Sequence, residues 1–233
     1  MPSRRFPPIA CLAVAALAAC SGPAGDVLPT GTLPLPLVAH GNEPFWWMRL
    51  DQDSVAFGTL GDEATFAADA VDGLRRAADG SFVFGAELAA DKLEAMLVPG
   101  VVTDSMTGMP YPFAVTLRIY DREWRGVGGD PGDLLRGFPW VVLQIADQQF
   151  SAGLRPTLEF RRGDALVFAT ADGTTTGRWS VGGDTLQLSG FDTLSARLRD
   201  ALESVDAFAI TAGGELVLRS DGGVALRAVR QRS

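Results

Sequence analysis

From residue 45 onward the apolar residues fall in short runs, many alternating with polar positions, and the runs break at Gly, Pro, Asn and Asp. Alternation over stretches this short predicts strands rather than helices. We read them at 45–50, 54–58, 64–70, 82–88 and 92–98, with Asp79-Gly80 marking a hairpin turn before the fourth. Residues 103–113 have the composition of a loop. Val115, Leu117 and Ile119 then alternate through 114–120 as in a half-buried strand, and 123–127 is placed to pair with it. Asp130, Pro131 and Gly137 sit where a short helical turn is capped, opened and ended.

The pattern resumes at Trp140, with strands over 140–145, 157–160, 165–170, 177–180, 185–189, 207–211, 215–219 and 224–229. One helix interrupts them. Leu194, Leu198, Leu202 and Val205 share a helical face, and Asp192 or Thr193 can cap its start. The predicted fold class is β-rich α+β: two small antiparallel β units, each a curled sheet or half-open barrel. They cover 40–137 and 138–233, and the second carries the packed helix.

Before residue 40 the pattern is different. Residues 1–19 have a short basic region, Arg4 and Arg5, and an apolar run from Ile9 to Leu17 that is too short for a stop-transfer helix. That is the form of an export signal. It ends Leu17-Ala18-Ala19-Cys20-Ser21, which resembles the bacterial lipobox. The resemblance implies cleavage before Cys20, a diacylglyceryl thioether on its sulfur and usually an acylated amine, giving a stable anchor where one chain would be marginal. Ser21 in place of Asp implies the outer membrane, facing the periplasm, under the sorting pattern of enteric bacteria. The other reading is an ordinary secretory cut, with Cys20 an incidental thiol. Residues 20–39, with Pro23, Pro29, Pro34 and Pro36, read as a tether. Fully extended, such a tether reaches roughly 60 Å.

Composition narrows the partners. At 47% apolar and 9% aromatic, 233 residues are enough to bury a core. The net charge is −8, and removing Arg4 and Arg5 leaves 18 basic against 28 acidic residues. Lys92 is the single lysine. Such a surface excludes nucleic acid as a partner, and it leaves the lipid on Cys20, not a basic patch, as the route to a membrane.

Three motifs carry a further resemblance. Gly-Asn-Glu-Pro-Phe-Trp at 41–46, Asp-Ser-Met-x-Gly-x-x-Tyr-Pro at 104–112 and Gly-x-Gly-Gly-Asp-Pro with Leu-Leu-x-Gly at 126–137 occur in that order. Together they resemble a family of uncharacterised bacterial envelope proteins and lipoproteins in which this unit often precedes a META (heat-shock HslJ-like) domain. The second unit resembles the META domain in its opening Trp140, the Gly-x-Trp at 177–179 and the final Leu-x-Leu at 216–218. The resemblance implies a role in envelope integrity or stress tolerance. Where the family has two cysteines, this chain has Val102 and Val127, which reads as a disulfide replaced by an apolar pair in contact. The family's Gly-Cys-Asn segment is also absent, its place taken by 172–175.

Candidate chemistry is sparse. His40 is the only imidazole and reads as a surface or turn histidine, not a catalytic base. Zinc needs three or four converging ligands, which one His and one lipidated Cys do not offer, and no other cofactor is indicated. Gly126 to Asp130 lacks the lysine and long helix of a phosphate loop and reads as a turn. Glu43 and Asp104 are the best carboxylates for a hydrolase, being beside aromatic residues that can shield them. The competing reading has Asn42 and Glu43 bonding a turn and Asp104 fixing its own loop. For a binding surface the residues to test are Asn42, Glu43, Trp46, Trp47, Asp104, Tyr111 and Phe113. The leading expectation is a non-enzymatic, membrane-anchored envelope protein that binds a partner protein or an apolar ligand. A structural or inhibitory scaffold and a carboxylate-dependent hydrolase are the alternatives.

Overall fold

The computed structural model describes residues 33–67, 72–88, 91–119, 121–221 and 223–231. The stretch read as a leader, Cys20, most of the stretch read as a tether, and positions 68–70 and 120 of two expected strands lie outside the described residues.

Nine strands make the first sheet: β1 (Leu37–Asn42), β2 (Phe45–Leu50), β3 (Ser54–Thr59), β4 (Asp62–Ala67), β5 (Asp72–Arg76), β6 (Phe82–Leu88), β7 (Asp91–Thr103), β8 (Pro110–Ile119) and β9 (Arg122–Gly128). Every pairing is antiparallel, in the order β4-β3-β2-β1-β9-β8-β7-β6-β5, and the sheet curls into a half-barrel. Alternate residues fill it, as the period of two requires. Trp46, Met48 and Leu50 from β2 meet Leu93 and Leu97 from β7 and Leu117 from β8 in one buried cluster. The Trp46 ring is fully buried, and its indole N–H donates to the Arg125 carbonyl at 3.0 Å. β1 and β9 approach closely there. A Cβ on Gly126 would overlap the His40 carbonyl, and one on Gly41 would overlap the Arg125 carbonyl.

The second sheet comprises β10 (Trp140–Ile145), β11 (Gln148–Gln149), β12 (Thr157–Phe160), β13 (Ala165–Thr170), β14 (Gly173–Gly182), β15 (Thr185–Ser189), β16 (Ala207–Ile210), β17 (Glu215–Ser220) and β18 (Gly223–Arg230). The order is β15-β14-β13-β12-β10-β18-β17-β16, with β11 paired to β10. The Leu186 N–H of β15 donates to the Asp206 carbonyl just before β16 at 2.7 Å, so the sheet is a nearly closed barrel. Trp140, Phe160, Phe168, Phe191, Phe208 and Leu226 fill its interior. The helix α1 (Ala196–Glu203) buries Leu202, and its Glu203 carboxylate accepts from the Gly190 and Phe191 amides at 3.1 and 3.3 Å.

Among the described residues the chain therefore adopts the β-rich class, with two curled antiparallel units and one α-helix. Several boundaries differ from the sequence reading. β1 begins at Leu37, inside the stretch read as tether, and Leu33 and Leu37 are buried in the first core. The prolines around these leucines mask a short alternation of apolar and polar positions. β7 runs to Thr103 and β8 starts at Pro110, so the expected loop shrinks to 104–109. The helix is shorter than 194–205, and Ser195 occupies its cap position instead of Asp192 or Thr193. Leu194 is held in a preceding turn by its N–H bond to the Phe191 carbonyl, and the Thr193 hydroxyl pairs with that of Thr175.

Candidate functional site

Along β1, Leu37, Ala39 and Gly41 are buried, while His40 and Asn42 alternate with them on the opposite face. Two residues of one strand thus present polar groups side by side, away from the first core. The end of the β7–β8 hairpin supplies their partner. Asp104 Oδ2 lies 3.0 Å from His40 Nε2 and accepts from Asn42 Nδ2 at 2.9 Å. Its other oxygen accepts from the Met106 and Thr107 amides at 2.9 and 2.8 Å and from the Thr107 hydroxyl at 3.1 Å. That is an Asx turn, closed by the Asp104 N–H bond to the Met109 carbonyl.

Asp104 is only 3% exposed. Burial alone would raise its carboxyl, but the Thr107 and Met106 amides, the Asn42 side chain and the Thr107 hydroxyl outweigh it and hold the group at about 2. An ionised carboxylate only accepts, so the His40 nitrogen facing it carries a proton.

The opposite side of the same loop is apolar. Met109 belongs to the second core, and Val101 and Tyr111 pack against that core. The Tyr111 ring also meets the His40 imidazole edge-on, with centroids 5.2 Å apart. Burial, then the charges of Asp104, Asp184 and Asp130, push the Tyr111 hydroxyl up. The hairpin end therefore grips β1 with its polar atoms and the second core with its apolar ones.

Beside this junction lies an open cleft of about 360 Å³, where Pro34, Pro36 and Leu37 face the β12–β13 turn and Trp179. Arg136 pairs with Asp133 at 2.7 Å and with Asp130, and its guanidinium stands 5.3 Å from the Trp179 ring centre. Burial pushes the Asp133 carboxyl up, against the pull of Arg136. Asp130 caps the short 3-10 turn Pro131–Leu134 by accepting from the Gly132 amide at 2.8 Å. The sequence marked this segment as a capped turn but did not show that it lines a cleft.

The residues singled out for binding divide sharply. Asn42, Asp104 and Tyr111 come together at the junction. Glu43 is exposed in the β1–β2 turn. Trp46 and Phe113 are fully buried in the first core, with Phe113 edge-on to Phe82, and are therefore packing residues rather than surface ones. Trp47 is half-buried with its indole lying over Gly58. His40, read as a surface or turn residue, is part of the junction. Its place two residues before Asn42 in an alternating stretch was the available signal. The expected pair Val102 and Val127 are not ladder partners: Val102 faces Tyr111, and Val127 faces Ala114 and His40.

Among the described residues, no three His, Cys, Asp or Glu side chains are grouped to hold a metal ion, and no helix is long and apolar enough to cross a membrane. No family model matches this chain, and no curated protein or solved structure matches it.

Proposed function

We propose that this chain is a lipid-anchored protein of the cell envelope, held through Cys20 at the periplasmic face of the outer membrane. It works by binding a partner protein or an apolar ligand, in envelope integrity or stress tolerance. The observation that carries the non-enzymatic part is the state of Asp104. Five hydrogen bonds saturate it, and its carboxyl is held at about 2. A hydrolase built on Glu43 and Asp104 needs a carboxyl that exchanges a proton near neutral pH, and this one is committed to holding the hairpin in place.

A structural or inhibitory scaffold is the second reading. It is favoured by Met96 and Val98 on strand β7, two apolar side chains exposed on the outer face of the first sheet.

Cross-linking in living cells followed by pull-down, with Cys20→Ala as control, tests these readings. Recovery of one envelope protein with the lipidated form alone supports the scaffold. A co-purifying lipid or other small apolar molecule supports the ligand binder. Equal membrane recovery of Cys20→Ala overturns the anchor. Ester or glycoside hydrolysis that disappears in Glu43→Gln overturns the non-enzymatic reading.

A further inference from the structure

Four large apolar side chains left exposed by the fold gather on one surface of the first unit. On β2, Trp46, Met48 and Leu50 enter the core, so Phe45 and Trp47 take the other face. On β1, Leu37 and Ala39 enter the core, and Val38 takes the outer face with His40 and Asn42. The register sets these residues side by side: Val38 pairs with Arg49, His40 with Trp47 and Asn42 with Phe45. Trp46 pairs with Thr59, which brings Leu60, the next residue, to the same end of the sheet as Phe45. The Ser105 hydroxyl lies 3.4 Å from the Asn42 amide, so the loop that carries Met106 reaches this surface too. Val38 and Phe45 are 47% and 48% exposed, and Met106 and Leu60 are 76% and 86% exposed.

The polar groups within this face are already committed. His40 and Asn42 are bound to Asp104, and Arg49 is paired with Asp51 at 2.8 Å. β1, β2 and β3 each have a strand on both sides, so no sheet edge opens here. A protein interface draws about one hydrogen bond from each 100–200 Å², and this face has few left to give. It is also the convex side of a curled sheet, so its apolar side chains stand out from the surface instead of walling a pocket. The occupant that suits it asks for no hydrogen bonds and presents no knob of its own.

The course of the chain supplies that occupant. Leu33, the first described residue, is buried in the first core five positions before Val38, on the way into β1. Cys20 stands thirteen positions before Leu33. Thirteen residues span at most about 45 Å. A lipid on Cys20 thus keeps the strand that carries Val38, and the two strands beside it, within reach of the bilayer in which that lipid sits.

We infer that the outer face of β1 to β3 lies against the bilayer that holds the Cys20 lipid, with Phe45, Leu60 and Met106 inserted below the head groups and Trp47 at their level. This rests on the anchor reading above and names the surface that meets the membrane. Tryptophan collects at the membrane–water boundary because its ring is apolar and its N–H is polar. The net charge of −8 opposes adsorption by charge, so the lipid supplies the capture and this face supplies the orientation. The exposed Glu43, in the turn beside Phe45, limits the depth by keeping its carboxylate among the head groups.

The test uses the full-length protein, expressed with its leader and reconstituted in vesicles of phosphatidylcholine and phosphatidylethanolamine, with a nitroxide spin label on Leu60→Cys or on Leu154→Cys. Leu154 is 65% exposed on the second unit and is the control. Oxygen concentrates among acyl chains and a nickel chelate stays in water, so the ratio of the two accessibilities reports immersion. The expected ratio at position 60 is at least five-fold above that at position 154. Adding Phe45→Ser with Met106→Ser should bring it down to the level of position 154, while flotation with the vesicles, circular dichroism and melting temperature stay unchanged. Equal ratios at 60 and 154, or immersion of position 60 retained in the folded double variant, overturns the proposal. Shielding of position 60 in isolated native membranes but not in pure lipid also overturns it, and puts a partner protein on this face. A chain that does not float with the vesicles overturns the anchor reading and this inference together; one that floats with position 60 in water overturns this inference alone.

Discussion

His40 Nε2 and Asp104 Oδ2 stand 3.0 Å apart although 64 residues separate them in the chain. This contact and the Asn42 bond beside it tie the end of the β7–β8 hairpin to β1, while Met109 on the same loop is inserted in the other core. One short loop thereby couples the first strand of one sheet to the interior of the other.

Asp104→Ala should destabilise the protein by about 2–4 kcal/mol, since it leaves His40 and Asn42 without their acceptor and opens the Asx turn. Urea unfolding gives the loss, and amide exchange at 106–109 should accelerate in the native state. A change below about 0.5 kcal/mol would mean that the loop is held by Met109 packing alone.

Acid should expose the same contact. Folding lowers the Asp104 carboxyl from 3.8 to about 2, so its contribution is complete above the unfolded value and disappears as pH falls through the folded one. That contribution is about 2 kcal/mol. Stability measured from pH 5 to 2 should fall more steeply in the native protein than in Asp104→Asn. Parallel curves would show that Asp104 is not depressed in the folded state.

Met109→Ala should cost about 2–4 kcal/mol through the cavity it leaves in the second core. The loss should appear as faster exchange in β10 and β18 as well as in the loop. An effect confined to 104–109 would show that the side chain is not part of that core.

Gly126→Ala should be among the most damaging single substitutions, costing more than about 3 kcal/mol, because the new methyl meets the His40 carbonyl, a backbone atom that cannot swing away. Gly153→Ala, where a Cβ meets nothing within 4 Å, is the matched control and should change stability by less than about 0.5 kcal/mol. Similar losses in both would refute the close approach of β1 and β9.

Val127 is 4% exposed yet is absent from the first core, so the face it shares with His40 is covered from outside. The hairpin end that contains Val102 folds over that face at His40. Val102→Cys with Val127→Cys is therefore expected to form a disulfide on export. Two free thiols in the folded double variant would place Val102 away from this covered face.

Much of the architecture was legible because strand periodicity is local. The alternation at Val115, Leu117 and Ile119 predicts which side chains of β8 face the core, and those three are buried. Aromatic residues were harder to assign. Trp46, Trp47 and Phe113 look alike as candidates for a binding surface, yet Trp46 and Phe113 are fully buried and Trp47 is not. Hydrophobicity says that a ring leaves water, and it does so equally well in a core or under a ligand.

The amino-acid sequence by itself determined the β-rich class with two curled antiparallel units and a packed helix, and the capped turn at Asp130, because each depends on residues within a few positions of one another. Only the tertiary structure decided that Asp104 also holds His40 and Asn42 and that Met109 enters the second core. Alternation tells which face a residue takes; what covers that face is set by strand order and by how far the sheet curls. Both come from packing summed over the whole chain, and no local pattern records that sum.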